Sequence, residues 1–166
     1  MRIVLAKKLL SAVGGSEAQA RALGRALGER GHEVSLVGLR PAWRRPGIPR
    51  AVYTAPPGTV EVTEDALRFR FVPARFGRAG AAVDSVAPTA LADRRALASA
   101  LRGVDVVHVL AREWAGPLER AAREGGAAFV ETPLVHPCQP WGGAGHSDVA
   151  RYRRDDAVIA LTEWEA

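Results

Sequence analysis

The sequence predicts an α/β fold built on a doubly wound parallel sheet. Apolar runs of strand length alternate with amphipathic segments of helix length along most of the chain. A strand, a helix and a second strand follow one another between Arg2 and Leu39, the spacing of a strand–helix–strand unit with a right-handed crossover. The length of 166 residues suits one domain. We therefore predict a single domain over residues 1–166.

The elements follow from local patterns. Arg2–Ala6 is a continuous apolar run, as expected for a strand buried on both faces. A helix follows, with Ser16 as its expected N-cap in a capping box with Gln19, and with Gly31 as its stop signal. In the first part of the chain, the predicted elements are a strand at Arg2–Ala6, a helix at Glu17–Arg30 and a strand at Glu33–Leu39. In the middle follow an irregular segment at Arg40–Gly58 with at most a short strand near Val52, two short strands around a turn at Glu64–Asp65, a glycine-rich loop at Arg75–Ser85 and a helix at Ala90–Arg102. The last part contains a strand at Val104–Ala111, a helix at Glu113–Glu124, a strand that breaks at Pro133, an irregular loop, a short helix at Asp148–Arg154 and a last strand at Asp156–Leu161.

Composition and charge restrict the class of protein. The chain is 48% hydrophobic and 25% charged, which is typical of a globular domain, and no apolar run reaches the length of a membrane span. Its single cysteine, Cys138, excludes an internal disulfide, and no Cys/His cluster has zinc spacing. The net charge of +5 permits anionic partners, but no stripe of arginines and aromatic residues indicates nucleic-acid binding. We expect a cytoplasmic protein, either free or peripheral to an anionic membrane surface.

Ligands of doubly wound sheets gather at the carboxyl ends of the strands, and two candidate segments lie there. Gly14 and Gly15 stand between the first strand and its helix, where free N–H groups favour an anion. The segment matches neither G-x-G-x-x-G nor the P-loop pattern, so a plain turn remains the alternative to a phosphate contact. Arg112 and Glu113 follow another strand, as acceptor contacts or as a charge pair at a helix start.

The loop after Pro133 carries a second group of candidates. His136 lies just past a strand end, where an imidazole can bind a ligand hydroxyl or stabilise developing charge, or can be merely exposed. Trp141 offers a flat face to a sugar ring, or packs in the loop. A Cys138–His136 nucleophile pair would need a third orienting group. His108, inside a buried strand, is interpreted as a core histidine with a hydrogen bond to the backbone.

A local basic cluster interrupts the irregular segment after the second strand. Arg44, Arg45 and Arg50 lie close together in sequence beside Trp43. They form either a solvated loop or a docking point for an anionic or lipid acceptor, or for a membrane surface. The sequence leaves these alternatives open.

Several segments together resemble a known family. The opening "MRIVLA…GGSEAQARALGRALGERGHEVSLVG" is similar to the first strand, glycine loop and helix of retaining, GT-B-type glycosyltransferases of family 4. "VDVVHVL", "FVETPLVHP" and "YRRDDAVIALTEWE" resemble later segments of that family in the same order. Residues 40–100 match poorly, in the region where the family varies with its acceptor.

The resemblance implies a fold and an activity. Such enzymes have two Rossmann-like domains across a cleft, so we expect this chain to be the N-terminal, acceptor-side domain. The C-terminal nucleotide-sugar-binding domain, with its E-x7-E motif, is absent from the chain. The implied reaction is transfer of a sugar with retention of configuration, without a metal or another cofactor. The substrates are a nucleotide-sugar and an acceptor that the sequence does not identify.

The resemblance also assigns site residues. Gly15, with Gly14, would contact the diphosphate of the donor through the backbone. His136 matches the family histidine beside the transferred sugar, and we expect it to be catalytic. Thr162 and Glu163 match the segment that closes the edge of the cleft. The alternative to an enzyme domain is a non-catalytic Rossmann-like module that binds an anionic small ligand or a membrane surface.

Overall fold

The fold is a seven-stranded sheet with helices on both faces. The structure, a computed structural model, describes residues 1–11, 14–86, 91–110, 114–133 and 154–159. The strands are β1 (Arg2–Ala6), β2 (Glu33–Leu39), β3 (Val60–Glu64), β4 (Leu67–Val72), β5 (Val106–Val109), β6 (Ala128–Glu131) and β7 (Ala157–Val158). The helices are α1 (Gly15–Glu29), α2 (Ala51–Thr54), α3 (Gly77–Val86), α4 (Arg94–Ala100) and α5 (Ala115–Gly125).

The strand order confirms the predicted doubly wound sheet. The strands lie in the order β3-β4-β2-β1-β5-β6-β7, and every neighbouring pair is parallel except β3–β4. Without the antiparallel edge strand, the parallel strands are ordered third, second, first, fourth, fifth, sixth, which is the Rossmann-like order. The winding direction reverses between β1 and β5. A ligand crevice is therefore expected outside the carboxyl ends of these two strands.

Alternate residues of the strands divide the core into two layers. Val4 and Ala6 of β1 belong to the layer that contains the fully buried Trp114 and Phe129, on the side of α4 and α5. Ile3 and Leu5 belong to the other layer, with Ala20 of α1 and the phenylalanines of β4. Burial of these apolar side chains on both faces is the main stabilising term of the fold. Within the described residues, no helix combines the length and apolar content needed to cross a bilayer.

The start of α1 differs from the prediction. Gly14, at φ 129° and ψ 147°, is the N-cap, and no side chain caps the helix. Ser16 lies inside the first turn, where its hydroxyl donates to Oε2 of Glu17 at 2.9 Å. The predicted capping box of Ser16 and Gln19 is therefore wrong. The physical reason is that the chain enters the helix two residues earlier, through a backbone conformation that is essentially confined to glycine.

Two turns agree with their predictions. Gly31 ends α1 in the left-handed region, at φ 84°, and its N–H donates to the carbonyl of Gly28. The hairpin of β3 and β4 turns at Asp65 and Ala66, which both have positive φ, at 49° and 63°. Two successive residues with positive φ match the right-handed twist of the paired strands. The predicted stop of α1 and the predicted hairpin are confirmed, although the turn lies one residue later than the predicted Glu64–Asp65.

Two segments that were predicted to be irregular contain helices. A single helical turn at Ala51–Thr54, and not a strand, carries the fully buried Val52 into the core beside α1. Residues of the predicted glycine-rich loop form α3, which begins at Gly77. A Cβ on Gly80 would collide with the carbonyl oxygen of Arg75, so this glycine permits a close backbone approach. Its role is packing, and the loop prediction is wrong for that reason.

The predictions near the C-terminus are tested in part. The last strand is described as the two residues Ala157 and Val158, which pair with Val130 and Glu131 of β6. The helix predicted at Asp148–Arg154 lies outside the described residues, apart from its last residue.

Candidate functional site

Charged side chains are buried at the carboxyl edge of the sheet. Among the residues that the structure describes, the buried charged side chains are Lys7, Lys8, Glu17 and Glu131, with exposures of 8%, 5%, 8% and 0%. Charged residues are rarely buried unless they are paired or functional. All of them follow or face the ends of β1 and β6, close to where the winding reverses. We use the name central cluster for these four residues together with the buried His108 and Thr132, among which Lys7 contacts Glu17 and His108 contacts Thr132.

The chain after β1 is held over the end of β2. The N–H of Lys7 donates to the carbonyl of Val37 at 3.0 Å, which extends the pairing of the two strands beyond β1. Leu10, 2% exposed, packs on Gly38, where a Cβ would collide with the leucine side chain. Together with the bond from the N–H of Leu39 to the carbonyl of Lys8, this packing holds Lys7 and Lys8 at the carboxyl end of β2.

The space above Gly14 is occupied by a carboxylate of the same chain. Glu17 Oε1 lies 3.4 Å from Nζ of Lys7, and Oε2 accepts the hydroxyl of Ser16. A Cβ on Gly14 would collide with this carboxylate, whereas a Cβ on Gly15 would meet open space. The two glycines therefore differ: Gly14 makes room for Glu17, and Gly15 leaves the first turn of α1 accessible. A carboxylate at this position is also favoured by the positive end of the helix dipole.

His108 is a buried neutral histidine that joins two strand ends. Its Nε2 and Oγ1 of Thr132 are 2.7 Å apart, and both residues are buried. Burial lowers the pKa of His108 from 6.5 to about 4, because the charged imidazolium is disfavoured away from water. The expectation of a core histidine is confirmed, but its hydrogen bond goes to a side chain and not to the backbone. The bond fixes Thr132 directly before Pro133, where the segment towards His136 begins.

A cavity of about 520 Å³ opens beside the central cluster, at the carboxyl ends of β2 and β4. We call it the arginine pocket. Its lining combines guanidinium groups with apolar and aromatic surface. The lining residues are Arg40, Pro41, Ala42, Trp43, Arg44, Tyr53, Ala55, Pro57, Gly58, Pro73, Ala74, Gly77, Arg78 and Ala81.

The sequence prediction of a basic cluster at Arg44, Arg45 and Arg50 is met in part by this pocket. Arg44 lines the cavity and is exposed, whereas Arg45 and Arg50 are not lining residues. Arg78, which is distant in sequence, completes the basic lining, because the start of α3 lies against the loop after β2. This contact between remote segments has no local sequence signal.

The other predicted site residues lie largely outside the described part of the chain. Gly14 and Gly15 are described, and both lie at the carboxyl edge. The remaining predicted residues fall outside the described residues; they are Arg112, His136, Trp141, Thr162 and Glu163. Sequence reasoning did not select Lys7, Glu17 or Glu131. The available signal was a charged residue directly after or at the end of a buried strand, as in "RIVLAKK" and "AFVET".

Comparisons with known proteins add little to this geometry. No protein-family model matches the chain, and no curated protein sequence matches it. Among solved structures, the chain is similar to a mutated uronate dehydrogenase, at 17% sequence identity and a TM-score of 0.42, over 79% of this chain. The match covers 38% of that protein's length, so the chain spans well under half of it.

Proposed function

We propose that this chain is the acceptor-side, N-terminal domain of a cytoplasmic retaining glycosyltransferase that uses a nucleotide-sugar. One observation carries the proposal. The segments that resemble the family contain β1, β2, β5, β6 and β7, and these strands are neighbours in the sheet. Because they are parallel, their carboxyl ends share one edge. The glycine loop and the segment leading to His136 therefore leave the sheet on the same side, as a shared reaction centre requires.

The first turn of α1 would receive the diphosphate of the donor. The first N–H groups of a helix have no partner within the helix, and a Cβ on Gly15 would meet nothing within 4 Å, so this side of the helix start is open. When the bond between sugar C1 and the diphosphate breaks, negative charge grows on the leaving group, and fixed N–H donors stabilise it. Lys7 offsets the charge of Glu17, so that the incoming diphosphate meets these donors without net repulsion.

The reacting sugar would lie between the end of β6 and the segment that follows it. By the resemblance, His136 stands beside the transferred sugar and stabilises the oxocarbenium-like state, and Thr162 and Glu163 close the cleft edge. Within the described residues, the bond between His108 and Thr132 fixes the strand end from which this segment starts. A neutral His108 adds no positive charge near a cationic transition state.

A second candidate is favoured by the arginine pocket. A non-catalytic module that binds an anionic small ligand would need the pocket but neither the glycine loop nor His136. It predicts ligand binding that is unchanged by substitution of His136, together with no turnover of nucleotide-sugars.

The test uses protein expressed from its complete reading frame. The protein is incubated with UDP-, GDP- and ADP-linked hexoses, and release of the nucleoside diphosphate is followed with the anomeric configuration of the sugar product. We expect release with one donor class, retention of configuration, and a loss of about 100-fold or more in H136A. The matched control H32A alters a histidine at the opposite edge of the sheet, before β2, and should leave the rate within about twofold. No release with any donor, or release that is independent of His136, contradicts the proposal.

A further inference from the structure

The arginine pocket carries positive charge that the described part of the chain does not neutralise. Arg40, Arg44 and Arg78 line it, and none of the three forms an ion pair with a described carboxylate. The described lining residues include no aspartate or glutamate. Elsewhere in the described chain, some arginine side chains are paired with carboxylates, as in Arg21–Glu64 and Arg68–Glu33. Unpaired guanidinium groups around one cavity are suited to an anionic ligand.

One side of the pocket is already fixed in place. Arg40 donates through Nη1 to the carbonyl of Pro56 at 2.7 Å and through Nη2 to the carbonyl of Ala55. These bonds hold the segment after α2 against the end of β2 without cancelling the charge. The backbone N–H of Arg45 donates to the hydroxyl of Tyr53 at 2.8 Å, which orients the aromatic ring in the wall. A wall that is ordered in advance lowers the entropy lost on binding.

The part of the lining that Trp43, Arg44 and Arg78 form is accessible. Trp43 is 44% exposed, and Arg44 is exposed beside it. Arg78 donates from Nη2 to the carbonyl of Ala42 at 3.4 Å, which leaves its other N–H groups for a ligand. An indole and two guanidinium groups in one lining match a compound that has both an apolar ring face, such as the C–H face of a pyranose, and an anionic group.

The size and position of the cavity indicate a small molecule. A volume of about 520 Å³ lies within the range of small-molecule sites. The pocket opens at the ends of β2 and β4, and β2 is the direct neighbour of β1, whose loop leads to Gly14 and Gly15. A ligand in the pocket would therefore lie at the same sheet edge as the proposed donor site.

We propose that the arginine pocket binds a phosphate-bearing ring compound of the hexose phosphate class, with its phosphate on Arg44 and Arg78 and its ring on Trp43. The role of this compound as the sugar acceptor rests on the proposed function, whereas its binding rests on the pocket alone. Arginine holds phosphate through two parallel hydrogen bonds, which favours phosphate over an uncharged hydroxyl.

The test is titration calorimetry of the chain with glucose 6-phosphate, glucose and inorganic phosphate, in the absence of any nucleotide-sugar. We expect glucose 6-phosphate to bind at least about tenfold more tightly than either of the other probes, because it alone uses both the arginines and the ring. The double variant R44Q/R78Q should weaken its binding by about tenfold or more, and W43L by about threefold or more. The matched control R102Q, an exposed arginine at the opposite edge of the sheet, should change the affinity by less than about twofold.

Several results would overturn the proposal. Equal affinity for glucose and glucose 6-phosphate removes the role of the phosphate, and an unchanged affinity in R44Q/R78Q removes the pocket as the site. If vesicles of anionic phospholipid bind the chain through Arg44 and Arg78 and glucose 6-phosphate does not compete, the surface is a membrane contact instead. Because no donor is present, these outcomes are independent of the nucleotide-sugar assay. If glucose 6-phosphate binds but the complete protein releases no nucleoside diphosphate, the binding proposal for the pocket stands and the glycosyltransferase proposal is rejected.

Discussion

The central cluster and the arginine pocket lie at one edge of the sheet, but their charged side chains differ in burial and in pairing. In the central cluster, Lys7 and Glu17 are buried and lie 3.4 Å apart, and His108 is kept neutral. In the pocket, Arg44 and Arg78 are exposed and have no described carboxylate partner. A buried charge destabilises the fold unless it has an oppositely charged partner, whereas an exposed charge is solvated by water and remains available to bind a ligand. The central cluster should therefore affect stability, and the pocket should affect binding.

The largest expected effect comes from removing one charge of the buried pair. E17Q keeps an oxygen that can accept the hydroxyl of Ser16, but it leaves Lys7 buried without an opposite charge. We expect the free energy of unfolding to fall by about 3 kcal/mol, since breaking a buried pair leaves an uncompensated ion. The matched variant R44Q removes an exposed charge and should change stability by less than about 0.5 kcal/mol. Urea denaturation of both variants measures the difference.

A double variant tests whether the stability lost in E17Q comes from the unpaired charge of Lys7. In K7M/E17Q no charge remains, so most of the stability lost in E17Q should return. If E17Q is as stable as R44Q, the pair contributes no more than a surface contact, and the contrast between the two regions fails.

The next effect is a dependence on pH that only the central cluster should show. The folded-state pKa of His108 is lowered to about 4 from its ordinary 6.5, so the unfolded chain binds this proton first as the pH falls. Stability from this group is complete above about pH 6.5 and declines as the pH falls towards about 4. Between about pH 7 and pH 5, we expect the wild type to lose about 2 kcal/mol more than H108Q, whose side chain does not titrate.

The control for this measurement again comes from the pocket. R44Q should keep the wild-type dependence on pH, because the substitution leaves His108 and its burial unchanged. Parallel curves for the wild type and H108Q would mean that the folded protein binds this proton as readily as the unfolded chain, so that burial does not lower the pKa of His108.

Most of the fold could be predicted from local patterns in the sequence. The apolar run of β1, the stop at Gly31 and the turn after β3 are short-range signals, and each was predicted. The helix α3 was missed because Gly80 was interpreted as a loop signal, although it lies against the carbonyl of Arg75. A glycine that permits close packing and a glycine that permits a turn are identical in sequence. The difference lies in what the backbone contacts.

The site was predicted less completely, because its contacts join distant segments. The pairing of Lys7 with Glu17 joins the segment after β1 to α1, and Arg44 and Arg78 line one cavity because the start of α3 lies near the loop after β2. Neither contact produces a hydrophobic periodicity or a motif spacing that can be recognised in the sequence. For the glycine pair, the sequence left a phosphate contact and a plain turn as alternatives, and the structure shows a turn at Gly14 that requires glycine. The backbone lies at φ 129°, and a carboxylate approaches it closely.

The smallest expected effect on stability is that of G15A, and its comparison with G14A tests whether the start of α1 receives a diphosphate. In G15A the new methyl group meets open space inside a helix, so stability should be unchanged or rise by about 0.5 kcal/mol. In G14A the residue is strained at φ 129° and the methyl group collides with the Glu17 carboxylate, which should lower stability by about 2 kcal/mol. Thermal unfolding separates the two variants, and nucleoside diphosphate release by the complete protein gives the second readout. If a diphosphate approaches Gly15, G15A loses release despite its intact fold, by about tenfold or more. A G15A protein that is stable and fully active would mean that the free N–H groups of α1 face solvent, and that the central cluster is structural throughout.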